Sequence, residues 1–448
     1  MKALILAAAM AGAIAPAVAQ AQGAIPVERL EQIVAADADS GQFSGAVLVA
    51  ADGVVLLDEG YGAANREWNV PNDGDTRFRL ASVTKQFTAA AALLLVDDGT
   101  LALDAPISTY LADAPESWAK VTVRHCLNHT SGIPDFTRLP DYGPTKRTPT
   151  TLDGVIARVS GMPLQFAPGE GWDYSNGGYA VLTRLIEKAS GLTYAEFLKQ
   201  RIFAPLGMTA SGYDSYEAVI PRRATGYVQT PDGIRHADFT DMSIPQGAGG
   251  LYSTTRDLLR WQQALYSGKV LKPATLAEMI RPVRNNYAMG LIVERLPQGT
   301  RIWHNGGIDG FNTFLAWDPD RKIVVAVLGN LNSMAPDRIG AKLLAVAQGQ
   351  TVVLPSERRA VALPETTLAG YVGSYALTPG FDIAITLDGG TLRAQGSGQP
   401  VIALLPQSAT LFHAPDIDAE IAFVTDAAGK GESLVLRQRG QERVAPRK

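Results

Sequence analysis

At 448 residues the chain is too long for one ordinary domain and long enough for two. Hydrophobic residues make up 46% and charged residues 19%, the balance of a globular protein with a sizeable core. A net charge of −4, with no block of consecutive basic residues, argues against nucleic acid or an anionic membrane surface as a partner.

The chain opens with MKALILAAAMAGAIAPAVAQAQG. One lysine, an apolar run and then Ala-x-Ala steps have the form of a secretory signal peptide, with cleavage after Ala19 or after Ala21. Residues 1–21 are therefore expected to be a cleavable signal, and the mature protein to be periplasmic or secreted. No later segment has the ~20 uninterrupted apolar residues of a membrane helix. Cys126 is the only cysteine, so no internal disulfide can form and the fold must rest on its core.

Ser44–Gly62 reads as two strands joined at the turn dipeptide Asp52-Gly53. Helical patterns follow over Thr84–Asp97, Gly178–Ala189, Tyr194–Phe203, Thr255–Tyr266 and Pro273–Met279. Thr313–Asn330 repeats the two-strand logic around Asp318-Pro319-Asp320. Strands at both ends with helices between predict an α/β domain over 22–349, its sheet built from the first and last parts of the chain. Residues 350–365, polar and broken by Pro355 and Pro364, read as a linker. Short β-like runs separated by turns then predict a small all-β domain over 366–448.

The helical stretch that starts "LASVTKQFTAAAALLL" carries Ser82 and Lys85 at its mouth. At this spacing both side chains share one helix face, with Cβ atoms about 5–6 Å apart. Serine is a poor nucleophile without a base. Lysine becomes a base when desolvation or a nearby cation lowers its pKa. The helix start adds free N–H groups and a positive dipole end. The apolar run behind the pair predicts a rigid, buried mounting. Taken alone, the same two residues also fit a helix cap and a surface lysine, so the remaining motifs must decide.

Two further stretches do so. "GEGWDYSNGGYAVL" carries Tyr174-Ser175-Asn176, and "RIWHNGGIDGF" carries His304-Asn305-Gly306. In this order the chain resembles the penicillin-recognising serine hydrolases, most closely the branch of class C β-lactamases, D-alanyl-D-alanine carboxypeptidases, D-aminopeptidases and esterases. "LNHTSGIPDF", "IFAPLGM" and "GAGGLYSTTRDLLRW" match in style, and the resemblance runs from about Phe43 to Asn330. It implies an α/β (α+β) catalytic domain with an antiparallel sheet and a helical insert, followed by a lipocalin-like β barrel.

The resemblance also implies roles. Ser82 is the acylated nucleophile, Lys85 its basic partner and Tyr174 a proton shuttle. It does not decide whether Lys85 or Tyr174 takes the first proton. Asn176 orients Lys85 and donates to the substrate amide. The backbone N–H groups of Ser82 and Gly307 form the oxyanion hole. Gly306 and His304 lie along the substrate strand, His304 beside the acyl tail. Neither metal nor cofactor is implied. At the His304 position β-lactamases carry Lys-Thr-Gly, whose fixed charge helps to read the substrate carboxylate. An imidazole with an ordinary pKa of ~6.5 is mostly neutral at pH 7. The departure favours small peptides, especially those with D-amino acids, and related amides or esters, cell-wall derived or not. A β-lactamase, a promiscuous esterase and a non-catalytic cell-wall-binding scaffold remain the alternatives.

Competing signals are weaker. His125 and His129 have a metal-binding spacing, but no adjacent Glu or third ligand accompanies them. His129 is expected to make a structural hydrogen bond near the site loop. "DADSG" lacks the glutamate of a calcium loop. The glycines of "QGAGGLYS" form no phosphate cradle and are expected to permit a tight turn near the substrate strand. No Gly-x-Ser-x-Gly elbow occurs. Trp172, Tyr179 and Trp303 are expected to pack around the motifs.

Overall fold

The structure is a computed structural model that describes residues 25–448 except 359, 439 and 440. The expected signal peptide lies outside the described residues. Among those described, no helix is long and apolar enough to cross a membrane.

One six-stranded antiparallel sheet organises the first three quarters of the chain. Its strands are β1 (Gly45–Ala51), β2 (Val54–Tyr61), β3 (Ile292–Leu296), β4 (Gly299–Ile308), β5 (Phe311–Asp318) and β6 (Ile323–Gly329). Their order is β3-β4-β5-β6-β1-β2, so the N-terminal hairpin pairs directly with the last strand of the C-terminal group. The predicted turn at Asp52-Gly53 joins β1 to β2, and both residues take positive φ there.

Side chains alternate across this sheet as strand geometry requires. Val47, Val49, Val325 and Val327 face α1 (Val27–Asp39) and a later helix, Ala335–Ala347. Ala46, Leu48, Val324, Ala326 and Leu328 face the opposite way, into the large core shared with the helical insert. At the centre of that core lies α2 (Thr84–Asp97), buried on every side from Thr84 to Leu95. A helix apolar all round has no solvent face to offer, and its sequence of Ala and Leu allows close approach from each neighbour. Beside it runs α3 (Asn176–Ser190), whose Ser175 side chain caps the first turn by accepting from Gly178 N. The predicted helix Thr255–Tyr266, here α4, has the same ends in the structure, and Ala335–Ala347 is α5. The helix expected over Tyr194–Phe203 changes to a π-turn at Lys199.

Among the described residues of 351–364 the secondary structure is one short turn of helix, Pro355–Glu357. The linker-like run is followed at once by α6 (Glu365–Tyr371), a helix that its polar composition conceals. Eight strands then follow in sequence order from Gly373–Thr378 to Gln441–Pro446. The first and last of them meet through a Tyr375–Arg447 bridge, which nearly closes an antiparallel barrel. Its interior is filled by side chains: Tyr371 stacks on Phe423 with ring centroids 4.3 Å apart, against Phe412 and Tyr375. The barrel touches α5 through Lys342–Asp418 at 2.7 Å, on the sheet face away from α2.

Candidate active site

Ser82 sits in a single 3-10 turn, Ala81–Val83, that runs straight into α2. The turn is held under strain. Ala81 has φ of 49°, a left-handed conformation that costs a non-glycine residue roughly 1–2 kcal/mol. Its surroundings hold it there: Leu80 N donates to Leu251 O at 2.8 Å, and Leu80 O accepts from Thr313 Oγ1 at 2.8 Å. Strain fixed by neighbours is characteristic of functional positions. Ser82 keeps partial solvent exposure while the residues on both sides are buried.

One turn along, the Lys85 ammonium has no solvent contact. Its Nζ donates to Ser82 Oγ at 3.2 Å, Asn176 Oδ1 at 2.8 Å and the Ala248 carbonyl at 2.7 Å. Nζ also lies over the ring of Tyr174, 4.7 Å from its centroid. Burial pulls the pKa of Lys85 down to about 7, with the Asp135 carboxylate opposing the fall. A lysine so placed has a substantial neutral fraction at pH 7, which a general base needs.

Asn176, at the start of α3, couples that carboxylate to the amine. Its Nδ2 lies 3.2 Å from both oxygens of Asp135 and its Oδ1 accepts from Lys85. Asp135 is itself buried, and caps the short turn after it by accepting from Thr137 N at 3.0 Å. Tyr174 comes from the loop before α3. Burial pushes its phenol up, and the Ser82 hydroxyl is near enough to oppose the rise. Tyr174 Oη makes no hydrogen bond of ordinary geometry. It is a neutral phenol facing a serine whose proton Lys85 is placed to take.

His129 holds this loop. Its Nδ1 accepts from Ser175 N at 3.1 Å and its ring lies 4.3 Å from that of Tyr174. The structural hydrogen bond expected of His129 is thus present. His125 turns its own Nδ1 to Thr122 N. The two histidines serve separate backbone segments, and among the described residues no group of three or more His, Cys, Asp or Glu is arranged to hold a metal.

β4 forms the opposite wall. β3 pairs with it only over Gly299–Trp303, leaving 304–308 bonded to β5 alone. An open edge of this kind can accept an extended substrate as an added strand. Gly306 lies where the strand crosses the Ser82 turn, and a Cβ there would stand 2.3 Å from Leu80 O and 2.4 Å from Thr313 Oγ1. Gly307 is exposed beside it. His304 is only 2% exposed. Its Nδ1–H donates to Asn305 O at 2.6 Å, so its Nε2 accepts from Tyr287 Oη at 3.1 Å. Burial, with Lys85 adding to it, depresses the pKa of His304 to about 3. The imidazole is neutral and both its nitrogens are engaged within the protein.

The structure thus brings Ser82, Lys85, Tyr174, Asn176, His304, Gly306 and Gly307 around one cleft. Sequence reasoning missed Asp135, Tyr287 and the Ala248 carbonyl. Asp135 belongs to the quoted stretch "LNHTSGIPDF", where a carboxylate after Ile-Pro was a usable signal. Tyr287 lies in no quoted motif. A backbone carbonyl leaves no sequence signal, although the glycines around Ala248 mark the close approach: a Cβ on Gly247 would stand 2.4 Å from Thr183 Oγ1.

Comparison with known proteins agrees with this geometry. Residues 30–350 match the Beta-lactamase family, and residues 357–445 match a domain of unknown function (DUF3471). The chain is 31% identical over 435 residues to Penicillin-binding protein 4* of Bacillus subtilis (strain 168), covering 91% of this chain and 95% of the relative. It is 34% identical over 275 residues to Esterase EstB of Burkholderia gladioli, covering 53% of this chain and 69% of the esterase. Among solved structures, the D-amino acid amidase from Ochrobactrum anthropi SV3 complexed with D-phenylalanine superposes with a TM-score of 0.64 at 27% identity, over 72% of this chain and 99% of the amidase.

Proposed function

The chain belongs to the Beta-lactamase family of serine hydrolases, and from that premise we propose that it cleaves amide or ester bonds of small D-amino acid derivatives through a covalent acyl-enzyme on Ser82. The observation that carries this reading is the Lys85 amine, buried within 3.2 Å of Ser82 Oγ and with a pKa near 7.

In the proposed reaction Lys85 accepts the Ser82 proton as Oγ attacks the substrate carbonyl. The backbone N–H groups of Ser82 and Gly307 receive the oxyanion, a contribution worth ~10²–10³ in rate per donor. Lys85 rather than Tyr174 takes the first proton. Its pKa is lowered towards neutrality while that of the phenol is raised, so at pH 7 only the amine has a populated basic form. Tyr174 donates to the departing amine or alkoxide and recovers the proton from Lys85. Water then hydrolyses the ester, with the same groups acting in reverse.

Tyr174 lies 6.3 Å from His304, ring centroid to centroid. In the proposed pose a leaving group protonated by Tyr174 departs on the His304 side, and the acyl part extends the other way. On this reading His304 borders the leaving group, whereas the resemblance implies a place beside the acyl tail. Its neutrality favours substrates without a carboxylate there. D-amino acid amides and simple esters meet that condition, in line with the amidase and esterase among the similar proteins. The test is a parallel assay of D- and L-phenylalanine amide, p-nitrophenyl acetate and nitrocefin. D-amide or ester turnover exceeding that of nitrocefin supports the reading; fast nitrocefin turnover with neither of the others contradicts it.

A further inference from the structure

The two walls of the cleft are tied together at one end. Residues 139–151 follow directly on Asp135 and Thr137, the groups that hold Asn176. From this segment Lys146 Nζ reaches Asp309 Oδ2 at 2.5 Å. Asp309 occupies the turn between β4 and β5, two residues past Gly307. A third segment completes the tie. The buried Thr240 hydroxyl donates to the same Asp309 oxygen, Asp241 N donates to Lys146 O at 2.8 Å, and Thr150 N donates to Ser243 Oγ at 2.9 Å. Arg147 pairs with Asp238 at 3.1 Å outside it. The Lys146 side chain is only 12% exposed, which sets this pair apart from a free surface ion pair.

The position of this tie relative to the reacting bond follows from strand geometry. At ~3.3 Å per residue, Asp309 stands at most ~7 Å beyond Gly307, just past the end of β4. Along the strand it lies on the opposite side of Gly307 from His304, where the acyl part of the substrate extends in the proposed pose. An acyl chain laid along the open edge of β4 would meet Lys146 and Asp309 after about two residues.

We propose that Lys146, Asp309 and Thr240 form a strap that closes the acyl end of the cleft and restricts the acyl group to a single aminoacyl residue or a short chain. The inference rests on the acyl-enzyme reading above and deepens it: the enzyme removes a terminal residue or a small acyl group and does not cut inside a long chain. All three are specificity-determining residues and none touches the reacting atoms.

The test compares kcat/KM for p-nitrophenyl acetate and p-nitrophenyl octanoate in the full chain. The wild type is expected to favour acetate at least ~10-fold. Lys146→Ala should shrink that ratio at least ~5-fold, chiefly by lowering KM for the octanoate. Asp309→Asn removes the ion pair while retaining an acceptor for Thr240, so it is the milder second variant and should move the ratio in the same direction. A wild type that handles both esters equally, or variants with an unchanged ratio, overturns the strap while leaving the acyl-enzyme reading intact. Failure of the wild type to hydrolyse either ester overturns both.

Discussion

In the proposed mechanism Lys85 is the residue on which the chemistry turns, and its environment sets the pH dependence expected. Only the neutral amine can accept the Ser82 proton. The sign is therefore fixed: kcat/KM should rise with pH through a midpoint near 7, as the ammonium deprotonates. Asp135 holds that midpoint up, since its negative charge favours the ammonium. Asp135→Asn should move the midpoint to lower pH, and a pH profile of ester hydrolysis would show it. An upward shift would mean that Asp135 acts on Lys85 in some other way. Removing the acid–base groups themselves, by Lys85→Ala or Tyr174→Phe, should each lower turnover at least ~10²-fold. A near-normal rate in either variant removes that residue from the mechanism. Ser82, Lys85, Tyr174 and Asn176 were legible in the sequence because the ordered motifs that carry them resemble those of a known family. The Tyr287–His304 pair was not. It joins a loop to a strand 17 residues on, and nothing local in either segment foretells the contact.

At the scale of elements, the site depends on how closely β4 crosses the Ser82 turn. Gly306→Ala would place a methyl group 2.3 Å from Leu80 O and 2.4 Å from Thr313 Oγ1, both fixed by their mutual hydrogen bond. The strand must then move, at a cost of about 1–3 kcal/mol. Activity should fall at least ~10-fold, because the same movement carries Gly307 N away from the oxyanion. Gly307→Ala meets nothing closer than the Asn312 side chain at 3.3 Å and keeps its N–H, so it should cost less than ~3-fold. Thermal melts and ester kinetics on the pair would separate the two effects, and equal losses would contradict the assigned crossing. The elements themselves were mostly readable. α2 and α4 have the ends that their patterns predict, since each is a long apolar or amphipathic run with a clear stop. α6 was hidden, because seven residues after Pro364 carry too little periodicity to separate a helix from a polar linker.

Across the whole molecule, three cores are built, one on each face of the sheet and one in the barrel. The sheet and helices contribute the first two and the barrel the third, with Tyr371, Tyr375, Phe412 and Phe423 at its centre. Their direct contact includes the Lys342–Asp418 ion pair on the sheet face opposite α2. That contact lies on the sheet face opposite the one that carries α2 and Ser82. Tyr371→Ala should destabilise it by about 3–5 kcal/mol, the scale for losing a buried aromatic ring. Calorimetry should show one transition falling while the rate of ester hydrolysis at 25 °C changes less than ~2-fold. A parallel loss of activity would show that the barrel supports the cleft. The antiparallel sheet assembled from both ends of its domain was foreseeable, because the two hairpins at Ser44–Gly62 and Thr313–Asn330 each need a partner and only each other offers one. The barrel was expected from the family resemblance, whereas the Tyr375–Arg447 contact that nearly closes it has no local signal, since the two residues meet across the full length of that domain.

The claim beneath all of this is that a buried lysine with a substantial neutral fraction at pH 7 activates Ser82. Its most direct test is the rate at which a fluorophosphonate labels the protein as a function of pH, with the adduct mapped by mass spectrometry. The adduct should fall on Ser82, its rate rising through a midpoint near pH 7 in the wild type and collapsing in Lys85→Ala. A label on another residue, or a rate on Ser82 that is flat between pH 5 and 9 and indifferent to Lys85, would contradict the account.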